Sequence, residues 1–150
     1  VYGLSGLRCG WVLAEPELAE RLWHLNDLFG VIPAHPAERL SCIALQKLDE
    51  VASYARRLLE TNRELLNSFY LTRTDLDWSE MKYGTVSFPS LKSGSVDALC
   101  ALLVEKYETS VVPGAFFEMP QHFRVGIGCE TEMLKEGLSR LGKALDEISG

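Results

Sequence analysis

The sequence lacks the features that mark several large classes of protein. Its longest apolar run, residues 96–104, is broken by Asp97, whereas a membrane helix needs about 20 apolar residues. The net charge is −6 and no block of like charges occurs, so a basic nucleic-acid surface is not expected. No secretory or transit segment is recognisable. We therefore expect neither a membrane nor a nucleic acid among the partners.

Cysteine and histidine are also sparse. The four cysteines form no CxxC pair and the three histidines are isolated, whereas disulfide scaffolds and zinc sites are denser in these residues. We expect reduced thiols in or near the core of a cytoplasmic protein, and no metal site. The residues are Cys9, Cys42, Cys100 and Cys129, with His24, His35 and His122.

The chain that remains has the composition of a globular domain. It has 150 residues, of which 47% are hydrophobic and 24% charged, enough for one ordinary core. It opens on Val1, without an initiator methionine, inside a glycine-rich turn. We therefore expect it to be a fragment of a longer protein.

Helical periodicity dominates the first half of the chain. Apolar side chains recur every three or four residues, as on a helix with one buried face. The most regular segment would make a helix roughly 30 Å long. The predicted elements are a buried strand (residues 9–13), a helix from Pro16 to Gly30 with a stripe of Leu18, Leu22, Leu25 and Phe29, a loop marked by Pro33 and Pro36, a helix over residues 37–48 and the long helix over residues 49–70.

The second half alternates short strands with helices, which is typical of an α+β unit. Ser95 and Thr131 each precede an apolar helical stripe and are predicted N-caps. The predicted elements are a strand over residues 84–89 with Val86 and Phe88 on one face, a helix over residues 95–107, a strand over residues 110–112 closed by Pro113-Gly114, a strand over residues 122–128, and a final helix with a stripe of Leu134, Leu138, Leu141, Leu145 and Ile148.

Arg124 is the first candidate site residue. Side chains alternate along a strand, so Phe123, Val125 and Ile127 form the core face of the last strand. Arg124 then shares the opposite face with glycines, which leave space beside its guanidinium. A planar, permanently charged group beside bare backbone suits a carboxylate or a phosphate, although a surface arginine with a structural role fits the same pattern.

Arg8 is the second candidate. It ends the loop of residues 3–7, in which Gly3 and Gly6 let the backbone approach a ligand closely. An arginine at this place can bind a phosphate, although the loop alone favours a turn that merely needs a positive φ at Gly3 and Gly6. The loop matches neither the nucleotide P-loop nor GxGxxG.

Residues 2–11, which read Tyr-Gly-Leu-Ser-Gly-Leu-Arg-Cys-Gly-Trp, resemble the segment that follows the Schiff-base lysine in class I/II aminotransferases. By that match the lysine is expected immediately before Val1, and Arg8 stands at the position of the arginine that binds the cofactor phosphate. Ser5 stands where proline is common.

Three later motifs resemble the same family in the same order. Residues 82–88 are similar to a small-domain strand, although Thr85 replaces a second glycine. Residues 111–117 resemble the loop at the substrate end of the site. Residues 123–128, Phe-Arg-Val-Gly-Ile-Gly, resemble the strand whose arginine binds the substrate α-carboxylate, at the position of Arg124.

The resemblance implies an α/β protein of the pyridoxal-phosphate (PLP) dependent transferase fold type I. Residues 1–48 would be a remnant of the large PLP-binding domain, and residues 49–150 the α+β small domain, with a long helix, a short antiparallel sheet and two further helices. The whole enzyme would be a cytoplasmic homodimer that moves an amino group between an L-amino acid and a 2-oxo acid. With the lysine outside it, this chain would hold no catalytic residue and would be inert alone.

Three alternatives stay open. Other fold type I enzymes, such as decarboxylases, lyases and racemases, carry the same two arginines. PLP-binding sensor domains of transcription regulators share the fold without turnover. A plain α+β interaction domain with structural arginines is the third reading.

Overall fold

The computed structural model describes residues 2–30, 32 and 34–149, in two compact units. Unit 1 is Val1–Ala55 and unit 2 is Arg56–Gly150, so the division falls inside one long helix, α3 (Leu48–Leu71). The predicted domain boundary between residues 48 and 49 falls at the start of that helix. Pro33, predicted to mark a loop, lies outside the described residues.

The described residues of unit 1 form a short 3-10 turn (Ser5–Leu7) and two α-helices besides the start of α3. The first, α1 (Pro16–Phe29), confirms the prediction: Pro16 lies in the first turn, and the Gly30 N–H donates to the carbonyl of Asn26 at 2.7 Å. The second, α2 (His35–Gln46), begins two residues before the predicted start at residue 37, because Pro36 belongs to its first turn. A proline fits there since the first helical N–H groups have no partner inside the helix.

The predicted strand over residues 9–13 is wrong. This segment has no regular structure, and Trp11, Val12 and Leu13 are 65%, 70% and 91% exposed where burial was expected. A strand exists only through hydrogen bonds to a neighbouring strand, and no described residue pairs with this segment. An apolar sequence alone therefore does not make this segment a strand.

Unit 2 is an α+β unit. The helix α4 (Val96–Tyr107) begins as predicted, with the Ser95 hydroxyl accepting from the Ala98 N–H at 3.3 Å. All strands are antiparallel, in a pair β1–β3 and a triplet β2–β5–β4. The bounds are β1 (Leu76–Asp77), β2 (Val86–Ser87), β3 (Ser90–Leu91), β4 (Val112–Pro113), β5 (Phe123–Gly126) and α5 (Thr131–Ser149).

The apolar core lies in unit 2. It is built from the end of α3, one face of each sheet, and the inner faces of α4 and α5. The predicted stripe of α5 is confirmed, because its four leucines are buried. Fully buried apolar side chains include Leu66, Tyr70, Leu99, Leu103, Phe123, Ile127 and Leu145.

Two predictions about unit 2 are corrected, the N-cap at Thr131 and the strand over residues 110–112. In β2, Val86 is exposed and Ser87 is buried, so the core face of this strand is the one that carries Ser87. Ser87 can be buried because its hydroxyl is 2.9 Å from that of Tyr70. Thr131 is the first residue of α5, and its hydroxyl donates to Asn62 Oδ1 at 2.8 Å. The strand predicted at residues 110–112 is displaced to Val112–Pro113 by its pairing with β5.

The four cysteines are free, as predicted, but only Cys100 and Cys129 are partly buried. Cys9 and Cys42 are exposed, which corrects the expectation that all four lie in or near the core. Among the described residues, no three histidine, cysteine or acidic side chains are grouped to hold a metal ion. No helix in the described ranges has the length and apolarity required to traverse a bilayer.

Candidate functional site

Arg124 lies in the middle strand of the triplet sheet. Phe123 and Val125 are buried and Arg124 and Gly126 are exposed, which confirms the predicted alternation. β5 is paired on both sides, with Arg124 opposite Val112 of β4 and Gly126 opposite Val86 of β2. The Arg124 backbone is therefore held rigidly while its side chain points away from the core.

The guanidinium of Arg124 has one recorded contact among the described residues. Its central carbon lies 5.5 Å from the centroid of the Phe117 ring, within the range of a cation–π interaction. No described carboxylate lies within ion-pair distance of Arg124, whereas Arg73 and Arg140 of the same unit are both paired with acids. Within the described residues, Arg124 is thus a cation without an acidic partner, on a strand that is paired on both sides.

The turn that carries Phe117 connects β4 to β5. It is a short 3-10 helix, Gly114–Phe117, in which the Gly114 N–H donates to the carbonyl of His122 at 2.7 Å. A Cβ at position 114 would collide with the carbonyl oxygens of Met119 and His122, so only glycine fits there. The sequence signal Pro113-Gly114 therefore marks a closely folded turn beside Arg124.

Three aromatic rings follow one another from this turn. Phe117 lies edge-on to Phe88, with ring centroids 5.5 Å apart and planes at 86°. Phe88 is stacked on the His122 ring at 5.0 Å and 24°. Phe117, Phe88 and His122 come from the turn, the segment after β2 and the residue before β5, and we call them the ring series.

Asn62 is a structural residue of the site that the sequence reasoning missed. It is buried in α3, and its Nδ2 donates to the carbonyls of Ile127 and Cys129, each at 2.8 Å. Its Oδ1 accepts from the Thr131 hydroxyl. These bonds satisfy the backbone between β5 and α5, where neither element supplies a partner. The signal that could have found it is a polar residue within the apolar stripe of the long helix.

Tyr70 and Ser87 form a second buried polar contact beneath the sheet. Burial raises the pKa of Tyr70 to about 12, and the hydrogen bond between the Tyr70 and Ser87 hydroxyls offsets part of that effect. The phenol therefore stays neutral well into the alkaline range. The pair holds β2 against α3, and Phe88 directly follows β2 in the chain.

Arg8 lies in unit 1, at the end of a 3-10 turn over Ser5–Leu7. Its backbone is left-handed, with φ 50° and ψ 29°, and Gly3 also has a positive φ, 72°. One guanidinium nitrogen of Arg8 donates weakly to the carbonyl of Ser5 at 3.4 Å. The side chain is exposed, and none of the ion pairs found in the described residues involves it.

Comparison with known proteins assigns the chain to a family. The family of class I and II aminotransferases matches residues 1–141. The chain belongs to the family of class I and II aminotransferases. The family match covers both units. In unit 2 the three motifs at residues 82–88, 111–117 and 123–128 contribute β2, β4 and β5 to one sheet.

Individual relatives, compared by structure or by sequence, agree with the family assignment. A PLP-dependent aminotransferase from Streptococcus suis superposes with a TM-score of 0.92 at 25% identity, over 98% of this chain and 40% of that one. Capreomycidine synthase of Streptomyces vinaceus is 28% identical over 148 residues, 96% of this chain and 38% of the relative. Histidinol-phosphate aminotransferase of Caldicellulosiruptor saccharolyticus is 28% identical over 149 residues, 99% of this chain and 38% of the relative. The chain thus spans about two fifths of the length of these family members.

Proposed function

We propose that this chain is the C-terminal part of a PLP-dependent aminotransferase that moves an amino group between an L-amino acid and a 2-oxo acid. The observation that carries the proposal is Arg124: a guanidinium free of any described carboxylate, on a doubly paired strand, in a chain whose family match spans residues 1–141. A rigid, unpaired cation of this kind is what recognition of a carboxylate requires.

Arg124 would bind the α-carboxylate that amino acids and 2-oxo acids share. Both oxygens of a carboxylate can accept from the planar guanidinium, so the contact fixes direction as well as position. With the carboxylate held, the bonds of the reacting carbon keep one orientation, and such positioning can supply several kcal/mol of the barrier reduction.

Arg8 would bind the phosphate of PLP. The residues present fit that group: the guanidinium is exposed, no acid of the described residues competes for it, and a Cβ added at Gly3, Gly6 or Gly10 meets nothing within 4 Å, so backbone there is open to approach. When bound, PLP supplies the electron sink for the reaction, and the chain supplies position and charge.

The domain assignment stays a prediction: residues 1–48 as large-domain remnant and residues 49–150 as small domain.

We also propose a cytoplasmic homodimer. Free cysteines support the compartment. The exposed apolar side chains of unit 1 support burial against other protein surface.

The test is the Arg124→Ala substitution in the full-length enzyme. It removes two charge-assisted hydrogen bonds and leaves the substrate carboxylate unpaired, so kcat/KM for the amino acid should fall by about two to four orders of magnitude. Arg124→Lys should recover only part, because an ammonium group cannot make the planar two-point contact. The melting temperature should barely change, because the Arg124 side chain is outside the core.

Arg140→Ala is the matched control. Arg140 donates to Glu136 at 2.8 Å and to the Tyr107 carbonyl at 2.9 Å, so its role is structural. We expect a lower melting temperature with unchanged kinetics. An Arg124→Ala enzyme that melts early and turns over normally would remove Arg124 from the site.

A synthase reaction without exchange of an amino group is the second candidate, because one of the three relatives compared above is named a synthase. Both readings use Arg124 in the same way, so product analysis separates them. An aminotransferase converts a 2-oxo acid into the corresponding amino acid in an amount equal to the donor consumed, whereas such a synthase needs no 2-oxo acceptor.

A further inference from the structure

The ring series gives Arg124 a support that uses none of its hydrogen-bond donors. A guanidinium has five N–H donors, and an acidic partner would occupy some of them. The face of an aromatic ring attracts the cation through its quadrupole and leaves the donors free. Phe117 is in that position, 5.5 Å from the guanidinium carbon.

Phe117 is itself held in place from two sides. Its ring is edge-on to the Phe88 ring, which is a geometry that aromatic pairs prefer. The Phe88 ring is in turn stacked on the His122 ring. Its backbone belongs to the turn closed by the Gly114–His122 bond at 2.7 Å, with Met119 N–H donating to the Gly114 carbonyl at 3.0 Å. The ring therefore has a fixed position although its side chain is half-exposed.

A long exposed arginine otherwise samples many rotamers, and ordering them opposes ligand binding. We propose that Phe117 is a positioning residue: it holds the Arg124 guanidinium ready to receive the substrate carboxylate, and Phe88 and His122 hold Phe117. This inference rests on the proposed function, since it assigns how the same arginine is prepared. It predicts that the ring of Phe117 acts through Arg124.

The kinetic experiment uses the full-length enzyme with Phe117→Leu, which keeps an apolar side chain but removes the ring face. We expect KM for the amino acid to rise about five- to tenfold with a smaller change in kcat, because the contact supports substrate binding before and during the reaction. Phe117→Tyr keeps the ring and should stay within about twofold of the parent. Phe117→Met provides a second ring-free variant should the leucine variant fold poorly.

Tyr83→Leu is the matched kinetic control. Tyr83 is an aromatic residue of the same unit outside the loop of residues 111–117, is 88% exposed, and has no ring contact within the described residues. It should leave KM within about twofold of the parent. Phe116→Leu, at the 79% exposed neighbour of Phe117, is the control for the spectra. In the Arg124→Ala background, Phe117→Leu should have no further effect on KM, because the residue it positions is gone.

The spectroscopic experiment uses the 150-residue chain and needs neither cofactor nor turnover. In ¹H–¹⁵N spectra the Arg124 Nε–H signal should be displaced by the ring current of Phe117. The displacement should vanish in Phe117→Leu and persist in Phe117→Tyr and Phe116→Leu.

The outcomes separate the two proposals. A large loss in Arg124→Ala together with equal KM values for Phe117→Leu and Tyr83→Leu overturns the positioning role and leaves the proposed function standing. Normal turnover in Arg124→Ala defeats the proposed function first. An Nε–H signal that is the same in the parent and in Phe117→Leu also overturns the positioning role.

Discussion

Helices α1 and α5 carry similar apolar stripes with opposite results. In unit 1, Leu18, Leu22, Leu25 and Phe29 of α1 are 36–82% exposed, whereas in unit 2 Leu134, Leu138, Leu141 and Leu145 of α5 are 0–6% exposed. The patterns have the same helical period and the same leucine-rich composition. Periodicity therefore shows which face of a helix is apolar, but only a neighbouring element decides whether that face is buried.

The two units differ in how many of their apolar side chains are buried. Every buried apolar side chain of the described residues belongs to unit 2, and Ser41 is the one buried residue described in unit 1. Burial of apolar surface is the main favourable term in folding. Unit 2 therefore holds the apolar core found among the described residues, whereas the described apolar side chains of unit 1 are exposed or only partly buried.

The largest effect is expected when one phenylalanine is replaced in each unit. Phe123 is fully buried and Phe29 is 82% exposed, so the same Phe→Ala change removes core packing in one case and little in the other. Phe123→Ala should lower the free energy of unfolding by about 3–5 kcal/mol, and Phe29→Ala by less than about 0.5 kcal/mol. Urea denaturation of the 150-residue chain measures both. Comparable losses in the two variants would mean that unit 1 also has a core.

A smaller effect is expected from polar burial. Asn62→Ala leaves the carbonyls of Ile127 and Cys129 without their donor, which should cost about 2–3 kcal/mol of unfolding free energy. Asn26→Ala in exposed α1 is the matched control and should change the same quantity by less than about 0.5 kcal/mol. Equal values in the two units would contradict the assignment of Asn62 as the link between α3 and the end of β5.

The smallest effect concerns pH. The pKa of Tyr70 is raised from 10.0 to about 12 in the folded chain by burial, so the unfolded chain loses this proton first as pH rises. The contribution of Tyr70 is therefore complete below pH 10 and is lost as pH increases toward 12. Between pH 9 and 11 the unfolding free energy should fall by about 1 kcal/mol through this group alone.

The Tyr70→Phe variant should lack that part of the alkaline loss, although it is less stable at every pH because Ser87 loses its partner. Tyr54→Phe in unit 1 removes only an exposed hydroxyl and should keep the parent slope. Unfolding measured at several pH values gives the slopes. A Tyr70→Phe slope equal to that of the parent would show that the phenol is not buried as described.

The sequence by itself determined most of the helices and the face of the site strand. Ser95 as an N-cap, the proline and glycine that bound α1, and the alternation around Arg124 are local features, because each depends on residues within one turn or one strand. The family assignment also followed from short motifs around Arg8 and Arg124, and the match over residues 1–141 confirms it. The roles of those two arginines remain predictions.

Only the tertiary structure decided which residues pair across the chain. Residues 9–13 are strand-like in sequence but lack a described partner, and β2 buries Ser87 instead of Val86 because the Tyr70 hydroxyl meets it from α3. Asn62 has its role because it bonds to the carbonyl of Ile127, 65 residues further along the chain. Phe117 has its role because the turn brings its ring to Arg124. Local sequence sets the direction of a side chain, whereas a hydrogen bond or a ring contact needs two segments at one place, and their meeting depends on the whole packed unit.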